Sequence, residues 1–302
     1  MMRRMMITSA VFLAVLLPSV AQQVGNAPLR EYMRPSLTAV YINRGEPLSE
    51  RIIRQMIAKG VPGKFDDNSI EQNILTVDRE QTLTPEAIRR TLESDVSREV
   101  IRRWFPAFDA ERGGFTTAVL AERGLNDATD TDVTIARASN MGEEILKDRG
   151  MELIGRSYIL VYDFRNTEQT GNGQDEGYRT DCDVYLYHLD WSEETKNAFY
   201  ARFNSPDGID ESHFPVRHIA SFVGESELTG ISISQSARDN ALRLSDEQLF
   251  AAFAAEIRKK ADVYLTQASE DFRVKSEIYA VHPLRAKIGV KEGVTVDQRY
   301  FV

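Results

Sequence analysis

The sequence predicts an α+β protein: a mixed β-sheet centred on a long hairpin spanning Arg156 to Trp191, helices packed mainly on one face, and a small C-terminal β unit. Three observations carry this. Two extended runs, RSYILVYDF and YRTDCDVYLYHLDW, are dense in β-branched and aromatic residues and are joined by NTEQTGNGQDEG, rich in glycine, asparagine and acids. That is the signature of paired strands. Helix patterns, with apolar residues three and four apart, flank the hairpin on both sides. The late runs DFRVKSEIYAV and PLRAKIG then read as two closing strands.

The first residues predict the compartment. Arg3 and Arg4 form a basic region, Ile7 to Leu17 is an apolar run too short to span a bilayer, and Ser19-Val20-Ala21 is a small-residue cleavage pattern. Residues 1–21 are expected to be a secretory signal peptide cut near Ala21, placing the protein in the periplasm or outside the cell. No cysteine follows the apolar run, so no lipid anchor is expected, and no later segment predicts a transmembrane helix. About 280 residues remain, read as a main domain over 22–267 and a C-terminal β module over 268–302.

Taken in order, RPSLTAVYI is a strand led in by Pro35. Ser49 is the expected N-cap of ERIIRQMIAK, with Ile52, Ile53, Met56 and Ile57 on one face and Gly60 and Pro62 as the stop. NILTVD is a short strand. Thr84 caps a helix with Pro85 in its first turn, its face being Ile88, Leu92, Val96 and Val100, and Pro106 ends it. PAFDAERGGF reads as a loop, TTAVLAERG as a short helix, and residues 133–149 as a helix closed by Gly150. After the hairpin, Ser192 caps a helix to about Phe203, and SPDGIDESHF is a loop. FPVRHIASFV and ISISQS are strands. Ser245 with Gln248 has capping-box spacing for a helix from Asp246 to about Gln267, its buried face led by Leu249, Phe250, Phe253 and Ile257. The chain stops inside the strand-like run VTVDQRYFV, so either it is truncated or its last strand ends at Val302.

Within the hairpin, period-two alternation puts Cys182, Val184, Leu186 and His188 on one side and Asp181, Asp183, Tyr185 and Tyr187 on the other. The first strand is apolar on both sides, Ile159 and Val161 opposing Tyr158, Leu160, Tyr162 and Phe164, which predicts an interior position in the sheet.

Chemistry is sparse. The net charge of −9 excludes nucleic acid and anionic lipid as main partners, both of which are held by clustered lysine and arginine. Cys182 is the only cysteine, and Asp181 and Asp183 beside it would raise its pKa, so it reads as a packed thiol. No GxSxG, HExxH or Walker pattern is present; no catalytic residue and no cofactor is expected. GNGQDEG has the look of a phosphate loop but lies between strands, where helix N-terminal amides are missing. Asp127, Asp130 and Asp132 offer oxygens for calcium but lack the glycine and distal glutamate of an EF-hand; capping the following helix explains them more simply. His213 and His218, with Asp190 or Asp183, could form a three-ligand zinc site, though the spacing matches no standard pair, and His188 reads as packed. The binding candidates are therefore Asp181, Asp183, Tyr185 and Tyr187, an acidic and aromatic sheet face able to stack on sugar or on a partner.

The order of elements carries a resemblance. SLTAVYI followed by SERIIRQMIAKG, then NMGEEILKDRGMELIGRSYILVYDF, DCDVYLYHLD, a late helix and a closing β unit, is similar to the periplasmic α/β domains of the curli-secretion pore lipoprotein, the Tol-system propeller protein's N-terminal domain and flagellar assembly protein T. KIGVKEGVTVDQRYFV resembles the small β module of the flagellar protein. More broadly, the chain resembles uncharacterised secreted proteins of Gram-negative bacteria. It departs from those domains in lacking a lipid-bearing cysteine, in the segment from Thr84 to Leu125 and in the insertion from Trp191 to Phe214. The resemblance implies a non-enzymatic envelope protein, an assembly or secretion accessory that binds a protein partner or its own copies. The alternative is a carbohydrate-binding protein or hydrolase using the acidic and tyrosine face.

Overall fold

One strand pair organises the sheet. In the computed structural model, which describes residues 33–127, 136, 138, 142–171, 175–223, 231–236, 244–276, 278–286, 288–289 and 294, strand β6 (Ser157–Thr170) runs antiparallel to β7 (Asp175–Leu189). On its other side β6 lies parallel to β1 (Ser36–Asn43). Short strands β2 (Asp66–Asp67) and β3 (Ile74–Thr76) pair in parallel along the outer edge of β1. β8 (Val216–Phe222) and β9 (Ile231–Ser236) pair antiparallel with the two halves of β7. The result is a seven-stranded mixed sheet in the predicted α+β class, with the hairpin at its centre.

Helices cover both faces, the greater number lying on one. The reason was visible in the hairpin: its strands are apolar in both directions, and each face must be removed from water. Over one face lie α2 (Pro85–Thr91), a π turn (Leu92–Val96), α3 (Ser97–Arg102), α4 (Ala118–Asp127), α5 (Gly142–Ile154) and α6 (Glu193–Tyr200). They bury Ile88, Leu92, Val100, Trp104, Leu153 and Phe199 with Val40, Ile159, Val161 and Tyr187 of the sheet. The other face carries α1 (Pro47–Lys59) and α7 (Asp246–Ala268), whose Ile52, Met56, Phe250, Phe253 and Ile257 pack on Tyr158, Leu160, Tyr162, Cys182 and Leu186. The alternation along both strands is as the sequence predicts.

Local signals fared well where the chain itself supplies the partner. Thr84 accepts from Ala87 N, Ser192 from Thr195 N, and Ser245 with Gln248 forms the expected capping box. Ser49 is displaced from its expected cap position. The helix starts at Pro47 after Glu46, and the buried Ser49 hydroxyl instead reaches Glu46 Oε2 and Thr167 Oγ1. PAFDAERGGF, expected to be loop, folds into a small hairpin of β4 (Phe108–Asp109) and β5 (Gly114–Phe115). Gly150 lies inside α5 rather than ending it, because it is where α4 crosses: a Cβ there would overlap the Leu120 carbonyl, and one at Gly124 the Leu146 carbonyl. The connector is also shorter than predicted, since NTEQT continues β6.

Residues Glu31–Val302 form one unit. Near its end Phe272 is buried in the α1–α7 core, and Asp271 is bound by Arg156 and Tyr158. β10 (Ile278–Val281) and β11 (Leu284–Ala286) make the expected pair of closing strands in a sheet of their own. The signal-like residues 1–21 and the final run VTVDQRYFV, apart from Val294, lie outside the described residues. Among the described residues no helix is long and apolar enough to cross a membrane.

Candidate functional site

The hairpin carries charge where an apolar pair would be expected. Asp163 sits opposite Asp183 in the β6–β7 register, and both are buried. Two carboxylates side by side in a low-dielectric sheet are costly unless each is matched by a cation. Arg44, directly after β1, meets Asp163 through a two-pronged bond, Nε to Oδ1 at 2.7 Å and Nη2 to Oδ2 at 2.8 Å, with side chains 3% and 2% exposed. Its remaining Nη1 donates to the carbonyls of Asp78, Arg79 and Gln81 at 3.3, 2.9 and 2.8 Å, so one guanidinium ties β1, β6 and the segment leading into α2. The Asp163 hydrogen bond is the main reason the Arg44 pKa is raised. Arg165, two residues along β6, bonds Asp183 through Nη2.

A bulge between Arg165 and Glu168 aims this end of the strand. Asn166 there has φ +52°, a left-handed conformation that asparagine tolerates better than most residues, and its amide donates to Asp181 Oδ2 at 2.9 Å. Beside it, Glu46 accepts from Thr167 N at 3.3 Å and pairs with Arg79 at 3.3 Å.

These groups wall a cavity of about 280 Å³, together with Tyr185, Leu83 and Val223. Tyr185 is 3% exposed, and its hydroxyl meets no hydrogen-bonding partner among the described residues. Burial first, then the charges of Asp183 and Asp163, push its phenol up to about 12, so it stays protonated near neutral pH. The Arg165 side chain is 38% exposed, but its Nε is shut away from solvent and from the cavity and has no partner among the described residues.

Of the four residues singled out from the sequence, Asp183 and Tyr185 share this cavity. Asp181 lies next to it, bonded to Asn166. Tyr187 does not join them: it is fully buried under α2, its hydroxyl donating to Pro85 O at 2.7 Å. Sequence reasoning missed Arg44, Asp163 and Arg165 as site residues. Asp163 did leave a signal, a lone acid in the apolar run SYILVYDF, because a buried carboxylate implies a cation nearby. Nothing local pointed to Arg44, 119 positions away.

The other candidates are accounted for by packing. Cys182 is fully buried, and burial raises its thiol pKa well above the ordinary value. His188 bonds the Gly155 carbonyl at 2.9 Å; a carbonyl only accepts, so the ring proton sits on Nε2, and burial lowers the pKa. His218 bonds Ser221 Oγ at 2.7 Å, and Asp190 receives Ser192 N at 3.0 Å. Asp127 takes Arg34 N and Nε at 3.1 and 3.2 Å, while Asp130 and Asp132 lie outside the described residues. Among the described residues, no group of three or more histidine, cysteine, aspartate or glutamate side chains is placed to hold a metal.

No family model matches the chain, and no curated protein matches it. Among solved structures, the chain is similar to a hypothetical protein of Chlamydia trachomatis determined at 1.65 Å, at 10% identity and a TM-score of 0.22, covering 76% of this chain and 98% of the other. A likeness at that level carries no argument about fold or function.

Proposed function

We propose that this chain acts by binding rather than by catalysis, as an exported component of the cell envelope whose recognition site is the cavity over β6 and β7. The observation that carries the reading is the state of its acids. Both Asp163 oxygens are held by Arg44, and Asp183 is held by Arg165, so the carboxylates that a hydrolase would use as acid and base are engaged as structural anions. Export is supported by Arg3, Arg4, the apolar run from Ile7 and the Ser19-Val20-Ala21 pattern. A partner protein or a second copy fits the order of elements described above.

Two measurements test this. Mass spectrometry of the protein from the envelope fraction should give an N-terminus at Gln22. Photo-crosslinking from position 83, in the cavity wall, should trap a bound partner in the native envelope, and light scattering should reveal any self-association. A strict monomer with no adduct, retaining residues 1–21, would overturn the proposal.

A further inference from the structure

The sheet has an open edge that the cavity does not use. β3 pairs with β1 on one side, and among the described residues no strand lies on its other side. Tyr41 N bonds the Asn73 carbonyl and Val77 N the Asn43 carbonyl, so residues 73, 75 and 77 turn their backbone groups towards β1. Ile74 and Thr76 therefore turn theirs outward. Such a row of free N–H and C=O groups is a template for another strand. Ile74 adds an apolar side chain that is 43% exposed. Residues 66–78 hold four acids and no lysine or arginine. Asp66 is taken by Arg123, which leaves Asp67, Glu71 and Asp78 exposed along an acidic edge.

The C-terminal unit is the converse. β10 and β11 pair only with each other, and among the described residues the last member of the buried core is Phe272. Two strands without a third, or a helix to pack on, are marginal in water. β10 nevertheless presents Ile278 and Val281, 39% and 70% exposed, and its side away from β11 is unpaired among the described residues. Residues 273–291 hold five lysines and arginines against Glu277 alone, in a chain whose net charge is −9. One strand edge is thus basic and apolar, the other acidic and apolar, and the two are complementary.

Within one copy they belong to separate sheets. β3 lies beside Tyr41, Ile42 and Asn43 at the end of β1. The chain leaves the body at the other end, where Arg156 and Tyr158 hold Asp271 next to the start of β1. A contact between two unlike surfaces is heterologous and repeats from copy to copy.

We infer that β10 of one copy adds to the free edge of β3 of a second copy, a head-to-tail contact made by strand pairing, by Ile74 against Ile278 and Val281, and by opposite charge. None of these residues lines the cavity, so this self-association stands apart from the site proposed above.

Sedimentation velocity of the full exported chain from about 5 to 300 µM tests it. The average mass should rise with concentration, with half-association at about 10–100 µM for so small a contact. Salt at about 0.5 M should weaken it severalfold by screening the charges. I74K, which puts a lysine on the acidic edge, and V281E, which puts an acid on the basic hairpin, should each weaken association at least about tenfold. Mixed one to one they should associate again, because the β10 of I74K and the β3 of V281E are intact. Both substitutions fall on exposed side chains, and melting temperatures equal to the parent's would show that the variants fold. The inference falls if the parent is monomeric throughout, if either variant associates as the parent does, or if the mixture stays monomeric. Loss in V281E alone would move the contact to two hairpins, and flotation of a monomeric parent with phosphatidylglycerol vesicles would make the hairpin a lipid contact; either overturns it. A monomeric parent that still gives an adduct from position 83 would remove the strand contact and keep the role of the cavity.

Discussion

Arg44 shows how one side chain can hold a site together. Replacing it with methionine would strand the Asp163 carboxylate in a dry strand pair and leave the Asp78, Arg79 and Gln81 carbonyls without their donor. Breaking a buried pair from one side costs about 3–5 kcal/mol, most of it from the charge left behind. Urea unfolding of R44M should show a loss of that order, and R44M/D163L should lose clearly less than the single variant, because no carboxylate remains to be solvated. A single-variant loss below about 1 kcal/mol would mean that the pair is open to water.

At the level of elements, the crossing of α4 and α5 depends on two glycines that touch the opposite backbone. Gly124 faces the Leu146 carbonyl and Gly150 faces Leu120, so each helix approaches the other at a position without a side chain. Alanine in an ordinary helix interior gains up to about 1 kcal/mol over glycine. Here the sign should reverse. G150A must push the helices apart, with an expected loss of about 1–3 kcal/mol from overpacking, measured as a lower urea midpoint. G124A and G150A together should lose less than their sum, since either alone opens the same crossing. A stabilised G150A would show that the helices part without cost.

Across the whole molecule, a chain this rich in buried phenols should be vulnerable to alkali. Tyr41, Tyr158, Tyr162, Tyr185 and Tyr187 all have pKa values raised above the ordinary 10.0, burial being the largest cause in each, with Tyr185 at about 12. The folded chain holds these protons after the unfolded chain has released them. Their stabilisation is therefore complete below about pH 10 and declines as pH rises through the raised values. The urea midpoint should be flat with respect to these groups just below pH 10 and fall steeply between about pH 10 and 12, with Y185F falling less steeply. An equally steep fall in Y185F would remove Tyr185 from this effect.

The order of elements, the two-faced alternation of the hairpin and the helix caps were set by the sequence itself, because each depends on residues within a turn or two of one another. Thr84, Ser192 and Ser245 meet their partners three positions away, and period-two burial follows from the pleat. Half of the candidate face was legible in the same way: alternation placed Asp183 and Tyr185 on the side where the cavity lies. Alternation could not tell that Tyr187, on that same side, would be covered by α2, or that Ser49 would turn towards Thr167. Those outcomes depend on which distant segment packs against each residue. The same holds for the ion pairs of the cavity. Arg44 and Asp163 become neighbours only when β1 aligns in parallel with β6, and a register between strands so far apart in the chain is fixed by the packing of the whole sheet, not by any spacing in the sequence.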